Sequence, residues 1–390
     1  MIIKYSVGLD ISSKDVKCCV STIDSNQIVK VKSSTTISNS KTGFTALHTW
    51  IEKHHTDKSV PLYVCMEATG VYHENCALYL IQHSYKVSVI LPNKAKRYLQ
   101  ALGLKSKNDS IDAKGLAQMG AEQNLKTWTP MAEFFYVLRA MTRHHQSLQE
   151  QKTGLKNQLH AQQFSMYSSK TVMSQIVKAI ALIDKQIKEI GLAIGKHISS
   201  NEQMAERISN LCTIKGLGLL TVATIIAETN GFELFDNYKQ VVSYAGYDVI
   251  ENQSGSHVGK TKISKKGNSR IRRVLFMPAF TAKTYGDATF SNLYDRTFEK
   301  HGIKMKSYVA IQKKLLILMY HLWKKNQPYD ANYHLNIRER VQGFASSVTT
   351  LNDDTSERKS SPNLIEATQG KLPVNEHSEF PLRQSKCIKS

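Results

Sequence analysis

The chain has 390 residues, enough for two or three domains with sizeable cores. Its 52 Lys and Arg stand against 32 Asp and Glu, a formal net charge of +20, so the expected partner is a polyanion and first of all nucleic acid. No uninterrupted apolar run is long enough for a bilayer, the opening MIIKYSVGLD lacks a signal-peptide pattern, and the six cysteines show no metal-ligand spacing, which leaves a cytosolic protein with reduced, mostly buried thiols.

Three short strands are predicted first, at Tyr5 to Leu9, Val16 to Ile23 and Ile28 to Val31, with turn residues between them. An amphipathic helix follows at Phe44 to His54, then a strand at Leu62 to Met66, a helix at Val71 to His83, a strand at Val87 to Leu91 and a basic helix from Asn93 to Leu102. A last helix starts near Asp109 and closes the region near Gln123. A meander of three strands followed by alternating helices and strands has the order of an RNase H-like α/β fold.

Asp10 and Glu67 fall at the ends of strands expected to be buried, where an unpaired carboxylate is costly unless it has a task. Asp109 and Asp112 are three residues apart and share one face of the helix they open. Like charges that close repel unless a cation lies between them. The helix macrodipole by itself also favours acids in a first turn. If the two strands are neighbours and the later helix packs over them, all four acids converge. Hard oxygen donors of this kind suit Mg²⁺ or Mn²⁺, and a pair of such ions can clamp the attacking and leaving oxygens of a phosphodiester.

From Phe134 to Leu192 the sequence reads as two long helices with a soft break at Ser165 to Ser169. Their apolar stripes fit an antiparallel or intermolecular coiled coil, or an ordinary bundle core. His144 and His145 are adjacent and so not on one face; they are read as facing solvent or nucleic acid. Leu211 to Glu228 is an apolar helix pair around Lys215, Gly216, Leu217 and Gly218, a turn whose backbone N–H groups suit a phosphate, although a plain hairpin with a Gly C-cap fits as well. Tyr244 to Phe276 then concentrates Lys260, Lys262, Lys265, Lys266, Arg270, Arg272 and Arg273 among Gly and Ser. Cations of that density neutralise several phosphates, and the short helix from Asn268 offers another phosphate its N-terminus. Within this segment Gln253-Ser254-Gly255 can expose a hydroxyl beside cations, the setting for nucleophilic attack on a phosphodiester. Ser-Gly is also a common turn pair, and Ser256 and Ser264 are nearby alternatives. Phe280 to Tyr329 is helical, with Ile311, Leu315, Leu316 and Leu318 as its core face. Beyond about Arg338 the chain is rich in Ser, Thr, Asn, Pro and charge, the composition of a disordered tail.

VGLDISSK, CMEATGVY and KNDSIDAKGLA resemble the three acidic motifs of the DEDD insertion-sequence transposases, and QSG followed by ISKKGNSRIRR resembles their second signature. That family combines a RuvC-like N-terminal domain with a C-terminal serine, and some of its members are guided by a bridge RNA. The resemblance implies a metal-binding tetrad of Asp10, Glu67, Asp109 and Asp112, with Ser254 as nucleophile. Lys107, Lys215, Gly216, Gly218 and the basic residues after Gly259 are the expected nucleic-acid contacts. The expected organisation is a RuvC-like domain over 1–125, a helical coiled-coil region for dimerisation over 126–205, a mainly α transposase domain over 206–335 and a tail over 336–390. Expected partners are double-stranded DNA, a non-coding guide RNA and further copies of the chain in a homodimer or homotetramer, in the bacterial cytoplasm, with no membrane. Two departures stand out: Asn108 where relatives often have Thr or Ser, and Val249 where many have Pro. Two other readings are open. One is a metal-dependent nuclease of junction-resolvase type that uses water. The other is an actin-like phosphate-binding ATPase, disfavoured by the absence of a Gly-containing turn after Asp10.

Overall fold

The structure is a computed structural model and describes residues 1–103, 109–251, 253–254, 257–259 and 261–332, with the backbone alone at 257 and 258. The expected tail over 336–390 lies outside these residues.

Three long strands open the chain, β1 (Ile2–Ile11), β2 (Asp15–Asp24) and β3 (Val29–Ser38). Then come α1 (Lys41–His54), β4 (Leu62–Glu67), α2 (Glu74–Gln82), β5 (Lys86–Ile90), α3 (Pro92–Ala101) and α4 (Asp109–Glu122). The strands form one sheet in the order β3-β2-β1-β4-β5, antiparallel across β3, β2 and β1 and parallel across β1, β4 and β5. This is the mixed, RNase H-like sheet expected from the element order.

The pleat sorts the side chains of β1 between two layers. Tyr5, Val7, Leu9 and Ile11 turn to one face and join Val64 and Met66 of β4 against Phe44, Leu47 and Ile51 of α1 and Ala77 and Leu80 of α2. Ser6, Gly8 and Asp10 turn to the other face, which α4 covers. There the helix lies almost on the strand: a Cβ built on Gly8 would stand 2.1 Å from both the Ala113 carbonyl oxygen and the Ala117 nitrogen. Ala113, Ala117 and Gly120 follow at helical spacing, so α4 presents a smooth flank to β1. Its far end is held by the Lys4 ammonium, which donates to the carbonyls of Ala121 (3.3 Å) and Gln123 (2.8 Å), a favourable place for a cation at a helix C-terminus.

Next come α5 (Glu133–Phe164) and α6 (Lys170–Ser199). They form an antiparallel hairpin within one chain: His197 near the end of α6 meets the Phe134 carbonyl at the start of α5 (3.0 Å), and Lys152 pairs with Asp184. Ile183, Ile194 and Ile198 bury the seam, whereas Val177, Leu182 and Leu192 remain exposed.

The C-terminal part comprises α7 (Glu202–Cys212), α8 (Leu219–Thr229) and α9 (Tyr238–Ala245), followed by the two-residue strands β6 (Val249–Ile250), β7 (Gln253–Ser254), β8 (His257–Val258) and β9 (Lys262–Ile263). It ends with α10 (Ser269–Val274), α11 (Phe276–Tyr285), α12 (Ala288–His301) and α13 (Lys304–Lys325). The stretch read as one helical region from Phe280 to Tyr329 is thus three helices, broken at Gly286 and Gly302. On α13 the buried face is Ile311, Leu315, Leu316, Met319 and Trp323; Leu318, expected in the core, is only half-buried. Pro328–Asn332 belongs to a separate unit, in which Asn332 N–H donates to Asp330 (2.8 Å).

One polar face of α5 ties these parts together. The Tyr136 hydroxyl donates to Glu74 of α2 (2.7 Å), and Arg139 lies 3.9 Å from the same carboxylate. A turn further on, Arg143 grips Glu228 of α8 with two hydrogen bonds (2.7 and 2.9 Å). Two turns beyond that, Glu150 pairs with Arg273 of α10. Glu228 is only 2 % exposed and also accepts from Asn268 Nδ2 (2.7 Å). Burial pushes its carboxyl up, but Arg143 and Asn268 outweigh burial and hold it below the usual range.

Two outcomes follow. Gly8→Val forces β1 and α4 apart and lowers stability by about 2–3 kcal/mol, read by urea unfolding. Arg143→Ala leaves the Glu228 charge buried without its guanidinium and costs about 3–5 kcal/mol at neutral pH. Because the folded carboxyl is held low, the pair's contribution is complete above the unfolded pKa and is lost as pH falls through the folded one. The gap between wild type and Arg143→Ala therefore narrows in acid.

Candidate active site

Asp10 is the last residue but one of β1, one position beyond the Leu9–Met66 register pair, and Glu67 ends β4 beside it. The two carboxylates thus belong to neighbouring parallel strands and turn to the face that α4 covers. α4 begins at Asp109 and carries Asp109 and Asp112 in its first turn, over the same edge of the sheet. The close seating of α4 on Gly8, two residues before Asp10, is what carries its first turn there.

The electrostatics register the convergence. The Asp10 carboxyl is raised to about 6, first by burial and then by the negative charges of Asp109, Asp112 and Glu67, in that order. Lys17 is the cross-strand register partner of Asp10, yet its ammonium turns away to Asp15 (3.4 Å). Among the described residues no three acidic, His or Cys side chains close into a ready metal cage. The two observations fit together, because charge acts over a longer range than ligation. Oxygen donors and negative charge are the chemistry that hard divalent cations prefer.

Ser254 lies elsewhere in the chain. It is exposed in the β7–β8 hairpin, with His257 as its backbone register partner. Among the described residues no hydrogen bond or ion pair joins it to the four acids. Ser264 donates to Asp248 Oδ1 (2.7 Å), so its hydroxyl already has a partner.

The basic residues divide into two groups. Lys215, Lys262, Lys265 and Lys266 are exposed. Arg272 donates to the Ala245 carbonyl (2.7 Å) and Arg273 pairs with Glu150, so these two have roles inside the protein that their spacing did not suggest. Lys107 and Lys260 lie outside the described residues. Gly216 takes φ +97° and faces α11, where a Cβ would stand 3.0 Å from the Pro278 carbonyl, whereas Gly218 caps α8 in the open with no side-chain hydrogen bond. Of the two glycines, the second leaves a helix N-terminus accessible and the first makes the turn. The N-terminus of α10 is already taken, since Asn268 Oδ1 accepts from the N–H groups of Arg270 and Ile271. That corrects the expectation that these backbone N–H groups hold a phosphate. His144 is exposed and His145 half-buried. Tyr244, Glu228 and Asn268 form a polar knot that motif reading missed; the one available signal was a Glu ending the apolar run TIIAE.

In metal-free protein, Asp10→Asn removes a carboxylate that its neighbours repel. The folded pKa lies above the unfolded one, so the native state holds the proton more tightly, and the stability Asp10 supplies declines as pH rises from about 4 to about 6. Asp10→Asn is therefore expected to melt like wild type near pH 4 and to be more stable near pH 8. The gain is about 1 kcal/mol once solvent screening is allowed for, read by thermal unfolding in chelator.

Comparison with known proteins gives a consistent result. Residues 7–164 match the DEDD transposase profile, described as Transposase, and residues 208–295 match the Transposase IS116/IS110/IS902 family. Pilin gene-inverting proteins of Moraxella lacunata and Moraxella bovis are each 29 % identical over 332 residues, covering 85 % of this chain and 99 % of theirs. Among solved structures, T. thermophilus RuvC in complex with a Holliday junction substrate aligns with 30 % of this chain and 93 % of its own at 13 % identity, with a TM-score of 0.24. Among the described residues no helix is long and apolar enough to cross a membrane. With one profile spanning the acidic edge and the other the segment around Ser254, the chain carries IS110-family transposase domains in both of these parts.

Proposed function

We propose that this transposase cuts and rejoins DNA through a phosphoserine at Ser254, with Asp10, Glu67, Asp109 and Asp112 holding Mg²⁺ or Mn²⁺ beside the reacting phosphate. The observation that supports it most is the Asp10 carboxyl raised to about 6 by burial and three converging acids. A site so short of positive charge is completed by a divalent cation. When bound, the cation supplies charge against the developing oxyanions. Ser254 Oγ bonds to phosphorus as the bond from phosphorus to one DNA oxygen breaks. The hydroxyl proton is released and the departing DNA oxygen takes one up. A DNA hydroxyl then attacks the phosphoserine, restores the diester and frees the serine. One diester is exchanged for another, so no nucleoside triphosphate is needed. Inversion of a DNA segment, which the names of the Moraxella relatives describe, requires the same cutting and rejoining.

By the same reading the net charge of +20 serves double-stranded DNA and a non-coding guide RNA. The exposed stripe of α6, with Val177, Leu182 and Leu192, offers a second copy a place to pack in a homodimer or homotetramer. Ser254 and the four acids lie far apart in sequence, so the serine of another subunit can complete the site.

That separation also favours a second reading, a nuclease that uses the acids and water alone. A covalent-trapping assay decides between them. Wild type, Ser254→Ala and Asp10→Ala are incubated with Mg²⁺, the flanking RNA of the element and labelled junction DNA, and resolved on denaturing gels. The expected result is a labelled protein band in wild type that Ser254→Ala abolishes. Cleavage that persists in Ser254→Ala and vanishes in Asp10→Ala establishes the nuclease. Restored activity on mixing the two variants supports a shared site; continued inactivity removes it.

A further inference from the structure

A cleft of about 740 Å³ lies between the end of β5 and the corner formed by α9 and α10. Leu91, Phe235, Tyr244, Lys266, Ser269 and Arg270 are among the residues that line it. Leu91 directly follows Ile90, the register partner of Glu67. The cleft therefore opens on the edge of the sheet that carries the acids and runs from there to the basic segment.

Its lining is fixed and still exposed. The Tyr244 hydroxyl donates to the Glu228 carbonyl (3.2 Å) and accepts from Asn268 Nδ2 (3.4 Å), and its ring packs against Phe235 with centroids 5.1 Å apart. Even so, Tyr244 is 37 % exposed. The loop with Lys266 is pinned to the same helix end, because Lys265 N–H donates to the Gly246 carbonyl (3.1 Å) and Asn268 N–H to the Tyr244 carbonyl (2.7 Å). Gly267 permits that contact; a Cβ there would stand 2.3 Å from the Tyr244 oxygen. The Tyr244 ring and the backbone that carries Lys266 are thus held at a set spacing before any ligand arrives.

The charge balance points the same way. Two acids act on Arg270, Glu228 and Glu150, and both are already held, the first by Arg143 and Asn268 and the second by Arg273. The Arg270 Nε is buried with no hydrogen-bond partner among the described residues. With Lys266 exposed beside it, the lining carries surplus positive charge next to an aromatic face. The lining also includes Leu91, 72 % exposed, an apolar side chain of the kind that wedges between unstacked base steps. Aromatic face, cation and wedge together suit a strand rather than a duplex, since stacking needs a base free of its neighbours.

We propose that this cleft seats one unpaired nucleotide of the DNA strand being exchanged, its base against Tyr244 and its phosphate on Lys266, Ser269 and Arg270. The inference rests on the DNA-recombinase reading and adds the place where the strand leaves the duplex.

The test uses the full chain in chelator, so that nothing is cut, and a short single-stranded DNA bearing 2-aminopurine, whose fluorescence falls on stacking. Wild type and Tyr244→Phe are expected to quench the probe alike. Tyr244→Leu abolishes the quench, and both Tyr244→Leu and Lys266→Ala weaken binding by about tenfold. Thermal unfolding checks the fold. Should Tyr244→Leu melt early, Lys266→Glu at the exposed position decides by the loss or retention of binding. Quenching and affinity unchanged in Tyr244→Leu and Lys266→Glu overturn the inference. Quenching by RNA of the same sequence but not by DNA also overturns it. The covalent adduct at Ser254 is scored separately. Adduct formation with a quench that ignores Tyr244 removes this inference alone, and a Tyr244-dependent quench without adduct removes the phosphoserine step alone.

Discussion

The arrangement of the acidic edge depends on how closely a helix can lie on a strand. At Gly8 the backbone of β1 meets the backbone of α4 with no room for a side chain between them. Ordinary helix-on-sheet packing keeps a layer of side chains in that gap, and the first turn of α4 would then stand away from the strand ends. The missing Cβ brings Asp109 and Asp112 down to Asp10 and Glu67. The helix dipole makes the first turn tolerable for two acids. It does not cancel the repulsion among four, and that residual repulsion is what Asp10 registers as a carboxyl raised to about 6.

Stability and the concentration of acids are therefore opposed at this edge. The folded chain concentrates negative charge at the carboxyl ends of β1 and β4 and carries the strain in the absence of metal. The sheet tolerates it because the opposite face is a continuous apolar layer from Tyr5 to Met66 packed on α1 and α2. A second concentration of buried charge, Glu228, is handled in the other way, by a forked guanidinium and an amide within the same chain. That carboxylate is satisfied within the chain and becomes a fastening.

Much of this was legible in the sequence, for identifiable reasons. Asp10 and Glu67 stand out because each ends an apolar run, and Asp109 and Asp112 because i,i+3 acids open a helix. The order of strands and helices follows from period and turn residues. β3 was read too short because KSSTTIS carries little apolar signal: it is an edge strand with one side in water, and alternation survives there only weakly. The role of Gly8 was hidden, since a glycine in a strand looks the same whether it bends the chain or admits a neighbour. The partners of Glu228 were out of reach because Arg143 lies 85 residues upstream, and no local spacing encodes such a pair. The internal partners of the basic segment were hidden for the same reason: Arg272 and Arg273 look like their neighbours until the fold gives them a carbonyl and a carboxylate.

The polar face of α5 has a mechanical meaning. Tyr136 and Arg139 hold the sheet domain through Glu74, while Arg143 and Glu150 hold the C-terminal helices. One rigid rod thus sets both the distance and the rotational phase between the acidic edge and the basic segment. A residue inserted between Arg139 and Arg143 turns everything downstream by about 100° about the rod axis with a shift of only about 1.5 Å. An insertion of about seven residues nearly restores the phase but lengthens the rod by about 10 Å. Within this fold the middle helix behaves as a keyed shaft, and drift in its length is constrained by angle before it is constrained by distance.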